Sequence, residues 1–397
     1  MLSKIIYPFK RVLYLIYRFF LYRIIFPHVY TKHARKPVNK NKIIFIEMHQ
    51  GALSDNFKLL FKRLSSDEKL TLGCHFIDNK NCGRLEQLKR SIRCLKDMAD
   101  AGYIFINTAC DVVDNVPMRS ETVVTQLWHA CGAFKRFGFS TADSIFGESA
   151  AQLKKYTLHR HYSHVTVSSP SIVWAYEEAM NISHESGVVK PVGVSRTDVF
   201  FDEAFINSAR EKLIQLVPDL NGRKIILYAP TFRGHINSAY APDKLDIADM
   251  CDKLGDKYIL LIKNHPFIKE QTFIPPQCKG FCHDISKLMK IDELLCVADI
   301  CISDYSSLVF EYSLFERPML FFAYDIDEYN DWRGFYYDYD ELTPGEVFYD
   351  THSMIEYILD IENRFNKQTV RDFREKFMLN CDGHSTDRII DLVFGKQ

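Results

Sequence analysis

The sequence predicts an α/β protein with two doubly wound lobes that face each other across a central cleft. Short apolar runs alternate with helical patterns, which is typical of parallel sheets covered by helices on both faces. The alternation stops at a polar stretch, residues 218–223, and then starts again. The chain has 397 residues, which exceeds one ordinary core because domains average about 150 residues. Two similar lobes are therefore the simplest interpretation.

The composition is that of a folded, reduced protein. Hydrophobic residues make up 47% of the chain and charged residues 25%, which excludes a disordered chain. Eleven cysteines, an odd number without CxxC pairing, indicate a cytoplasmic thiol inventory. Cys278, Cys282 and His283 could be metal ligands, but no second cluster with zinc spacing accompanies them. We therefore expect no structural metal. A nucleic-acid partner is not expected either.

The first element, residues 1–36, is basic and aromatic. It contains eight Lys and Arg residues, and the first acidic residue is Glu47. Lys4, Arg11 and Arg18 recur at a spacing of seven, which keeps them on one helical face. An uncharged apolar run of about 18 residues, as a spanning helix requires, does not occur. We expect an amphipathic helix on an anionic membrane surface; the alternative is a basic helix packed on the protein.

The two lobes follow in order. Residues 37–205 form the predicted N-terminal Rossmann-like domain, and residues 206–397 form the predicted C-terminal one. The predicted strands of the first domain are residues 42–46, 103–107, 122–127 and 162–168. Those of the second are residues 224–230, 258–263, 280–283, 299–303 and 319–322. Ligands of such sheets collect beyond the carboxyl ends of the strands, so the site is expected there.

The most informative junction is a strand that runs into Ser306 and Ser307 and then into an apolar, helix-periodic segment. At a helix start the first N–H groups are unpaired and the helix dipole is positive. Such a junction is suited to a phosphate. The ligand is therefore predicted to be phosphorylated.

Two histidines, His129 and His265, come directly after apolar strands. An imidazole can take a proton from an attacking hydroxyl near neutral pH, or donate a hydrogen bond to a phosphate. A satisfied structural histidine is the alternative for each of them alone. Cations at strand ends strengthen the phosphate interpretation, because guanidinium groups pair well with phosphate oxygens. These cations are Lys135, Arg136, Arg196, Arg233 and Lys263.

Other patterns leave their function open. Arg196 and Asp198 could form an ion pair that braces the linker between the lobes, or Arg196 could contact a ligand. The acidic pairs Asp325/Asp327 and Asp338/Asp340 resemble carboxylates that hold a metal-bound nucleotide, so a role for Mg²⁺ stays open. A GxxxxGK[ST] loop, a GxGxxG fingerprint and a GxSxG elbow do not occur. Nucleoside triphosphatase, dinucleotide-binding and hydrolase functions are therefore disfavoured.

Several segments together resemble the CDP-glycerol glycerophosphotransferase family, which includes teichoic-acid primases and polymerases and related capsule enzymes. The resemblance extends over most of residues 43–350 and depends on the order and spacing of modest motifs. These are Gly51 with Asp55-Asn56, Gln126-Leu127-Trp128-His129 with Lys135 and Gly138, Gly193 with Arg196 and Asp198, Leu227-Tyr228-Ala229-Pro230-Thr231-Phe232-Arg233, Lys263-Asn264-His265-Pro266, Ser303-Asp304-Tyr305-Ser306-Ser307, Phe310-Glu311, and Asp325 through Tyr329 to Arg333-Gly334-Phe335 and Pro344-Gly345.

The resemblance implies a two-lobed GT-B fold, in which residues 37–205 would form the acceptor-side domain and residues 206–397 the CDP-donor-binding domain. His129 would be the base that activates an acceptor hydroxyl, and His265 with Arg233 would face the donor diphosphate. Ser306 and Ser307 would bind its oxygens. The implied substrate-binding residues are Lys135, Arg196, Arg233, Lys263, Ser303, Asp304, Ser306, Ser307, Glu311 and Arg333.

Two positions depart from the family pattern. Many members have His-Gly-Thr-Pro-Leu-Lys, whereas this chain has Ala130-Cys131-Gly132-Ala133-Phe134 between His129 and Lys135. The usual Asp after Phe is Glu311, one methylene longer, which is implied to hold the nucleotide ribose. These departures leave the reaction class standing and leave the polyol and the acceptor open.

The resemblance implies an enzyme on the cytoplasmic face of the membrane that transfers glycerol phosphate, or a similar polyol phosphate, from a CDP-linked donor and releases CMP. The acceptor would be a lipid-linked saccharide or a growing teichoic-acid, wall or capsule polymer. An alternative is a GT-B glycosyltransferase that uses a nucleotide sugar, since such folds host many donors. A third hypothesis is a non-catalytic polymer-binding protein with a decayed nucleotide pocket.

Overall fold

The computed structural model describes residues 12–143, 151, 153, 158–234 and 238–395, and it contains two six-stranded parallel sheets. The first sheet has the order β2-β1-β3-β4-β5-β6 and the second β12-β11-β10-β7-β8-β9. The strands of the first are β1 (Asn39–Glu47), β2 (Thr71–Phe76), β3 (Ala101–Ile106), β4 (Val123–Gln126), β5 (His164–Thr166) and β6 (Val189–Lys190). Those of the second are β7 (Lys224–Tyr228), β8 (Tyr258–Ile262), β9 (Cys282–Asp284), β10 (Ile300–Ser303), β11 (Met319–Phe322) and β12 (Val347–Phe348). The predicted pair of doubly wound lobes is confirmed.

Helices cover both sheets. Those that accompany the first sheet are α1 (Val12–His33), α2 (Asp55–Leu64), α3 (Arg84–Met98), α4 (Asp111–Asp114) and α5 (Val173–Met180). Those that follow are α6 (Glu203–Leu216), α7 (Ile247–Leu254), α8 (Ile291–Val297), α9 (Leu308–Ser313), α10 (Ile326–Arg333), α11 (Thr351–Leu359), α12 (Ile361–Arg364), α13 (Lys367–Met378) and α14 (Ser385–Phe394).

The predicted strands form because their apolar residues are buried on both faces. All five residues of β8 are buried, as parallel strands between two helical layers require. Strands β2, β6 and β12 were not predicted. β2 contains Gly73, Cys74 and His75 and is half-buried at the edge of the first sheet, and β6 and β12 have two residues each. Short or polar edge strands lack the apolar run on which the prediction depends.

The N-terminal helix α1 extends over the first lobe and leaves an apolar face uncovered. Tyr22 donates a hydrogen bond to Asp111 at 2.8 Å, and Phe26 and Tyr30 are buried. By length and composition α1 could cross a membrane, although core helices and signal sequences meet the same criterion. The expectation from the sequence concerned uncharged runs, and it stands, because Arg18 and Arg23 interrupt the apolar residues of α1. Lys4 and Arg11 lie outside the described residues.

The last helix, α14, returns to the first lobe. Ile389 and Val393 pack with Phe45 and Phe105 of the first sheet. Asp198 accepts hydrogen bonds from the backbone N–H groups of Ser385 at 3.0 Å and Thr386 at 2.7 Å. The sequence-based boundary at residue 206 assigned this helix to the second lobe, whereas its packing places it on the first. A single domain boundary in the sequence cannot describe a C-terminal helix that packs on the N-terminal lobe.

Gly132 allows the lobes to approach closely. Its φ is +60°, and a Cβ there would lie 2.3 Å from the ring of Phe310 on α9. Gly222 has a φ of +77° with open space around it, which makes it a matched control. We expect Gly132→Ala to lower the free energy of unfolding by about 1–3 kcal/mol more than Gly222→Ala, because only the first adds overpacking to backbone strain. Equal losses in urea unfolding would contradict this close approach.

Candidate active site

A cleft of about 700 Å³ lies between the lobes, at the carboxyl ends of both sets of strands. This is where ligands of doubly wound sheets bind. It gathers eight of the twelve predicted site residues. These are His129, Lys135, Arg196, Lys263, His265, Ser306, Ser307 and Glu311.

His129 follows β4, where the chain turns sharply. Trp128 has a φ of +57°, and its N–H donates to the side-chain oxygen of Gln126 at 2.9 Å. The His129 Nδ1 lies 3.1 Å from the backbone oxygen of Asn107. A carbonyl can only accept, so Nδ1 carries the proton and Nε2 of the neutral ring has a lone pair. Burial lowers the pKa of His129, and this outweighs the hydrogen bond to Asn107, which raises it. The ring is therefore neutral at pH 7, with Nε2 able to accept a hydrogen bond or a proton.

His265 follows β8, and its ring has the opposite arrangement of hydrogen-bond donor and acceptor from that of His129. Its Nδ1 accepts a hydrogen bond from the backbone N–H of Phe267 at 3.2 Å. The neutral ring therefore carries its proton on Nε2, as a hydrogen-bond donor. The ring packs against Phe232 and Phe267, with centroids 4.9 and 4.6 Å apart. One histidine at the cleft can thus accept a proton while the other donates a hydrogen bond.

Arg196 is held by two buried carboxylates. One guanidinium nitrogen bonds to Asp292 at 2.7 Å, and another pairs with Glu311. Burial by itself lowers the pKa of Arg196, but Glu311 and Asp292 raise it by more. The alternative pair with Asp198 is wrong, because the Asp198 carboxylate accepts from the first N–H groups of α14. Arg196 lines the cleft with its charge already neutralised.

Glu311 presents an unused acceptor. Its Oε1 pairs with Arg196, whereas its buried Oε2 has no hydrogen-bond partner among the described residues. An unsatisfied buried acceptor costs about 1–3 kcal/mol. Burial raises the pKa of Glu311, against the effect of Arg196. A ligand hydroxyl that donates to Oε2 would satisfy it.

The two lysines of the cleft are positioned by neighbouring loops. Lys263 Nζ donates to the backbone oxygens of Ser286 at 2.5 Å and Met289 at 2.6 Å. Lys135 Nζ donates to the hydroxyl of Tyr329 at 2.8 Å and lies over its ring. Lys135 belongs to the first lobe and Tyr329 to the second. The contact between Lys135 and Tyr329 therefore connects the two lobes beside the cleft.

Arg233, Ser303 and Asp304 lie outside the cleft lining, in a layer that supports it. Arg233 bonds to Asp304 at 2.9 Å and to both oxygens of Asp325 at 2.5 and 2.9 Å. Asp304 accepts from the backbone and the hydroxyl of Thr231. Ser303 donates to the backbone oxygen of Ala229 at 3.0 Å. The expectation that Arg233 faces a diphosphate does not match this placement, because two carboxylates occupy its guanidinium.

Ser306 and Ser307 line the cleft at the turn after β10. Helix α9 begins at Leu308 and has six residues, so its dipole is smaller than a long helix would provide. Ser306 Oγ accepts from the backbone N–H of Leu308 at 3.4 Å. The two serines lie where the sequence placed them, and phosphate binding there stays a prediction. The side chain of Arg333 lies outside the described residues.

No group of three or more His, Cys, Asp or Glu residues suited to a metal occurs in the part of the chain that the structure describes. Asp325, one of the predicted metal-binding acids, instead accepts from Arg233 and from the hydroxyl of Tyr305 at 3.0 Å. The buried Cys278 donates its thiol to the backbone oxygen of Ile247 at 3.8 Å.

Sequence reasoning missed three charged residues of the cleft. Lys290 Nζ lies 2.9 and 3.1 Å from the carboxylate oxygens of Asp55 and spans the two lobes. Asp292 neutralises Arg196. Asp55 stood in a recognised motif, but no role was given to it. Lys290 and Asp292 stood in no motif, and only the pairing of distant segments identifies them.

Two facing Rossmann-like lobes with a histidine-lined cleft between them define a protein with the GT-B fold. The chain belongs to the CDP-Glycerol:Poly(glycerophosphate) glycerophosphotransferase family, whose sequence profile matches residues 28–395.

Relatives and solved structures agree with this assignment. A teichoic acid poly(ribitol-phosphate) polymerase of Bacillus spizizenii is 35% identical over 93% of this chain, which spans 58% of that relative's length. A teichoic acid ribitol-phosphate primase of the same organism is 32% identical over 91% of this chain and 92% of its own. A variant of the wall teichoic acid polymerase TagF has the same fold, with a TM-score of 0.76 at 20% identity over 98% of this chain and 97% of that one. The family is thus shown by sequence and the fold by structure.

Proposed function

We propose that this protein transfers a polyol phosphate from a CDP-linked donor to an acceptor hydroxyl and releases CMP. The observation that carries the proposal is the pair of opposite tautomers at one cleft, with an acceptor Nε2 on His129 and a donor Nε2–H on His265. Phosphoryl transfer needs little more than positioning, charge neutralisation and a base. The family membership supports the same chemistry.

In the proposed step the acceptor oxygen attacks the phosphorus that carries the polyol. The hydroxyl proton passes to Nε2 of His129, and the bond between that phosphorus and the bridging oxygen of CMP breaks. The Nε2–H of His265 donates to a diphosphate oxygen, and Lys263 with the turn at Ser306 and Ser307 adds positive potential. Oε2 of Glu311 accepts from a hydroxyl of the donor, which the family pattern assigns to the ribose.

The pH dependence of turnover follows from the pKa of His129. The base works only when neutral, and burial lowers its pKa, an effect to which the charges of His49, Arg196 and Lys80 add. We expect kcat/KM for CMP release, which reports the ligand-free enzyme, to fall on acidification with a midpoint below about 6.5, the ordinary value for histidine. Turnover measured from pH 5 to pH 9 tests this. A midpoint above that value would contradict the assignment of His129 as the base.

We propose ribitol phosphate as the transferred group. The relatives named for ribitol phosphate are 32–35% identical to this chain, and those named for glycerol phosphate are 27–29% identical. Competition between equal concentrations of CDP-ribitol and CDP-glycerol tests this choice. A product that contains mainly glycerol phosphate would show that the preferred polyol is glycerol, and the proposed type of reaction would be unchanged.

We propose a lipid-linked saccharide or polyol-phosphate polymer as acceptor, at the cytoplasmic face of the membrane. Helix α1 leaves about half of each of several apolar side chains exposed, with Arg23 nearby. These side chains are Val12, Leu13, Ile16, Phe19, Phe20 and Ile24. Apolar burial together with basic charge is what binds a helix to an anionic surface.

Vesicle binding of the full chain tests this role of α1. We expect sedimentation with phosphatidylglycerol vesicles, and a loss of about tenfold or more in bound fraction for Phe19→Ser with Phe20→Ser. Leu85→Ser is the control, because Leu85 is similarly exposed but lies on α3. Equal binding of all three proteins would contradict a membrane role for this face.

A nucleotide-sugar transferase is the second candidate. A UDP-GlcNAc 2-epimerase from Neisseria meningitidis has a TM-score of 0.52 at 12% identity, which extends the fold and not the substrate to this chain. A panel of CDP-ribitol, CDP-glycerol and UDP-sugars, assayed in detergent with a lipid-linked acceptor, separates the candidates. We expect CMP from a CDP-polyol. Turnover of a UDP-sugar alone would support the second candidate, and CDP binding without turnover would support a non-catalytic polymer-binding protein.

A further inference from the structure

A buried carboxylate stands behind the base. Glu47 is the last residue of β1, the neighbour of β3 in the first sheet, and only 2% of its surface is exposed. None of the salt bridges among the described residues involves Glu47, so no cation in that part of the chain pairs with the buried carboxylate. Burying a carboxylate without a cation is costly. A carboxylate buried at this cost beside the cleft is therefore a candidate for a role in the site.

Among the described residues, the hydrogen bonds of this carboxylate go to Ser54 and Asn107. Oε1 accepts from the backbone N–H of Ser54 at 2.8 Å. Both oxygens accept from Nδ2 of Asn107 at 3.2 Å. The same Nδ2 donates to Oγ of Ser54 at 2.9 Å. The amide of Asn107 is therefore fixed with its NH₂ toward Glu47.

Asn107 connects this carboxylate to His129. It follows β3 directly, is 5% exposed, and its backbone oxygen accepts from Nδ1 of His129 at 3.1 Å. That hydrogen bond selects the tautomer with a lone pair on Nε2. In catalytic triads a carboxylate holds the base histidine directly in this way; here a backbone carbonyl takes that place.

We propose that Glu47 is a positioning residue for the base, acting through Asn107. By fixing the Asn107 side chain, Glu47 fixes the backbone carbonyl that holds Nδ1–H of His129 and thereby keeps Nε2 available for the proton. The consequence for turnover rests on the proposed polyol-phosphate transfer. The consequence for the tautomer of His129 does not.

Exchanging the carboxylate and the amide between positions 47 and 107 distinguishes a positioning role of Glu47 from a purely stabilising one. In Glu47→Gln the amide oxygen can still accept from Ser54, but its NH₂ faces the NH₂ of Asn107. We expect kcat for CMP release to fall about 10–100-fold, the usual cost of losing an orienting partner, with unchanged affinity for CDP. Adding Asn107→Asp restores one donor and one acceptor, and we expect kcat within about threefold of wild type. Glu177→Gln is the control, because Glu177 is also a buried glutamate but pairs with His184 and does not line the cleft; it should change kcat less than about threefold.

The ¹⁵N shifts of the His129 ring give a readout that does not need turnover. We expect Nδ1–H to dominate in the wild type and in the double variant, and a mixture of tautomers in Glu47→Gln. Wild-type turnover and tautomer in Glu47→Gln would overturn the inference, as would a double variant no better than the single. A wild type that releases no CMP from any CDP-polyol would defeat the proposed function, and the ring shifts would still decide the role of Glu47.

Discussion

His129→Asn is expected to lower kcat for CMP release by about 10²–10⁴-fold, the range that a positioned general base contributes. Asparagine can still donate to the backbone oxygen of Asn107 but cannot accept a proton at neutral pH. Affinity for CDP should be unchanged, because the His129 side chain lies on the lobe opposite the turn at Ser306 and Ser307. Steady-state kinetics together with CDP titration by calorimetry measures both.

The control for this variant is His352→Asn. His352 lies on α11, with 70% of its side chain exposed, and it is not among the residues that line the cleft. We expect wild-type kinetics from it. A His129→Asn enzyme that retains more than about a tenth of the wild-type kcat would show that another group takes the acceptor proton.

Arg196→Met has the largest expected effect on stability. Methionine approximates the length of arginine but leaves the carboxylates of Asp292 and Glu311 buried without their cation. Removing one partner of a buried ion pair costs about 3–5 kcal/mol, and we expect a loss of that size in the free energy of unfolding. Urea unfolding followed by circular dichroism measures it.

Lys224→Met is the matched control. Lys224 pairs with Glu362 at 3.3 Å, but both side chains are more than half exposed. Exposed pairs contribute about 0–1 kcal/mol, so this variant should be almost neutral. Arg196→Lys keeps the charge, reaches one carboxylate at a time and should lose less than Arg196→Met. Similar small losses in all three variants would contradict a stabilising role for the buried cluster.

The parts of the fold that could be predicted are those whose sequence carries a local signal. The run Tyr258-Ile259-Leu260-Leu261-Ile262 indicates a buried strand without further information, and the histidine after it marks the carboxyl end. The edge strand β2 gives no such signal, because Gly73 and His75 interrupt its apolar residues. Its place depends on pairing with β1 over six residues, which is a tertiary property.

The candidate site divides in the same way. Residue type and position after a strand were enough to predict that His129, His265, Ser306 and Ser307 lie at the cleft. They could not reveal which cations were already neutralised. The guanidinium of Arg233 has the same chemistry as a phosphate ligand, and only the positions of Asp304 and Asp325 show that it stabilises two loops instead. Partner identity depends on segments far apart in the chain.

The tautomers of the two histidines were also beyond the sequence. They follow from one backbone carbonyl, that of Asn107, and one backbone N–H, that of Phe267. Because nearly every residue has the same backbone groups, no side-chain pattern in the sequence predicts which of them will bond to a histidine ring. The chemical distinction between base and donor is therefore a result of the fold.

The measurement that tests the central claim most directly is the mass of the acceptor after reaction. Wild-type protein is incubated with CDP-ribitol, CDP-glycerol and a UDP-sugar in turn, each with a lipid-linked disaccharide in detergent, and the lipid product is analysed by mass spectrometry. We predict that the acceptor gains one or more ribitol-phosphate units with equimolar CMP, and that His129→Asn gives no such product. An acceptor that gains a sugar, or gains nothing from either CDP-polyol, would contradict polyol-phosphate transfer.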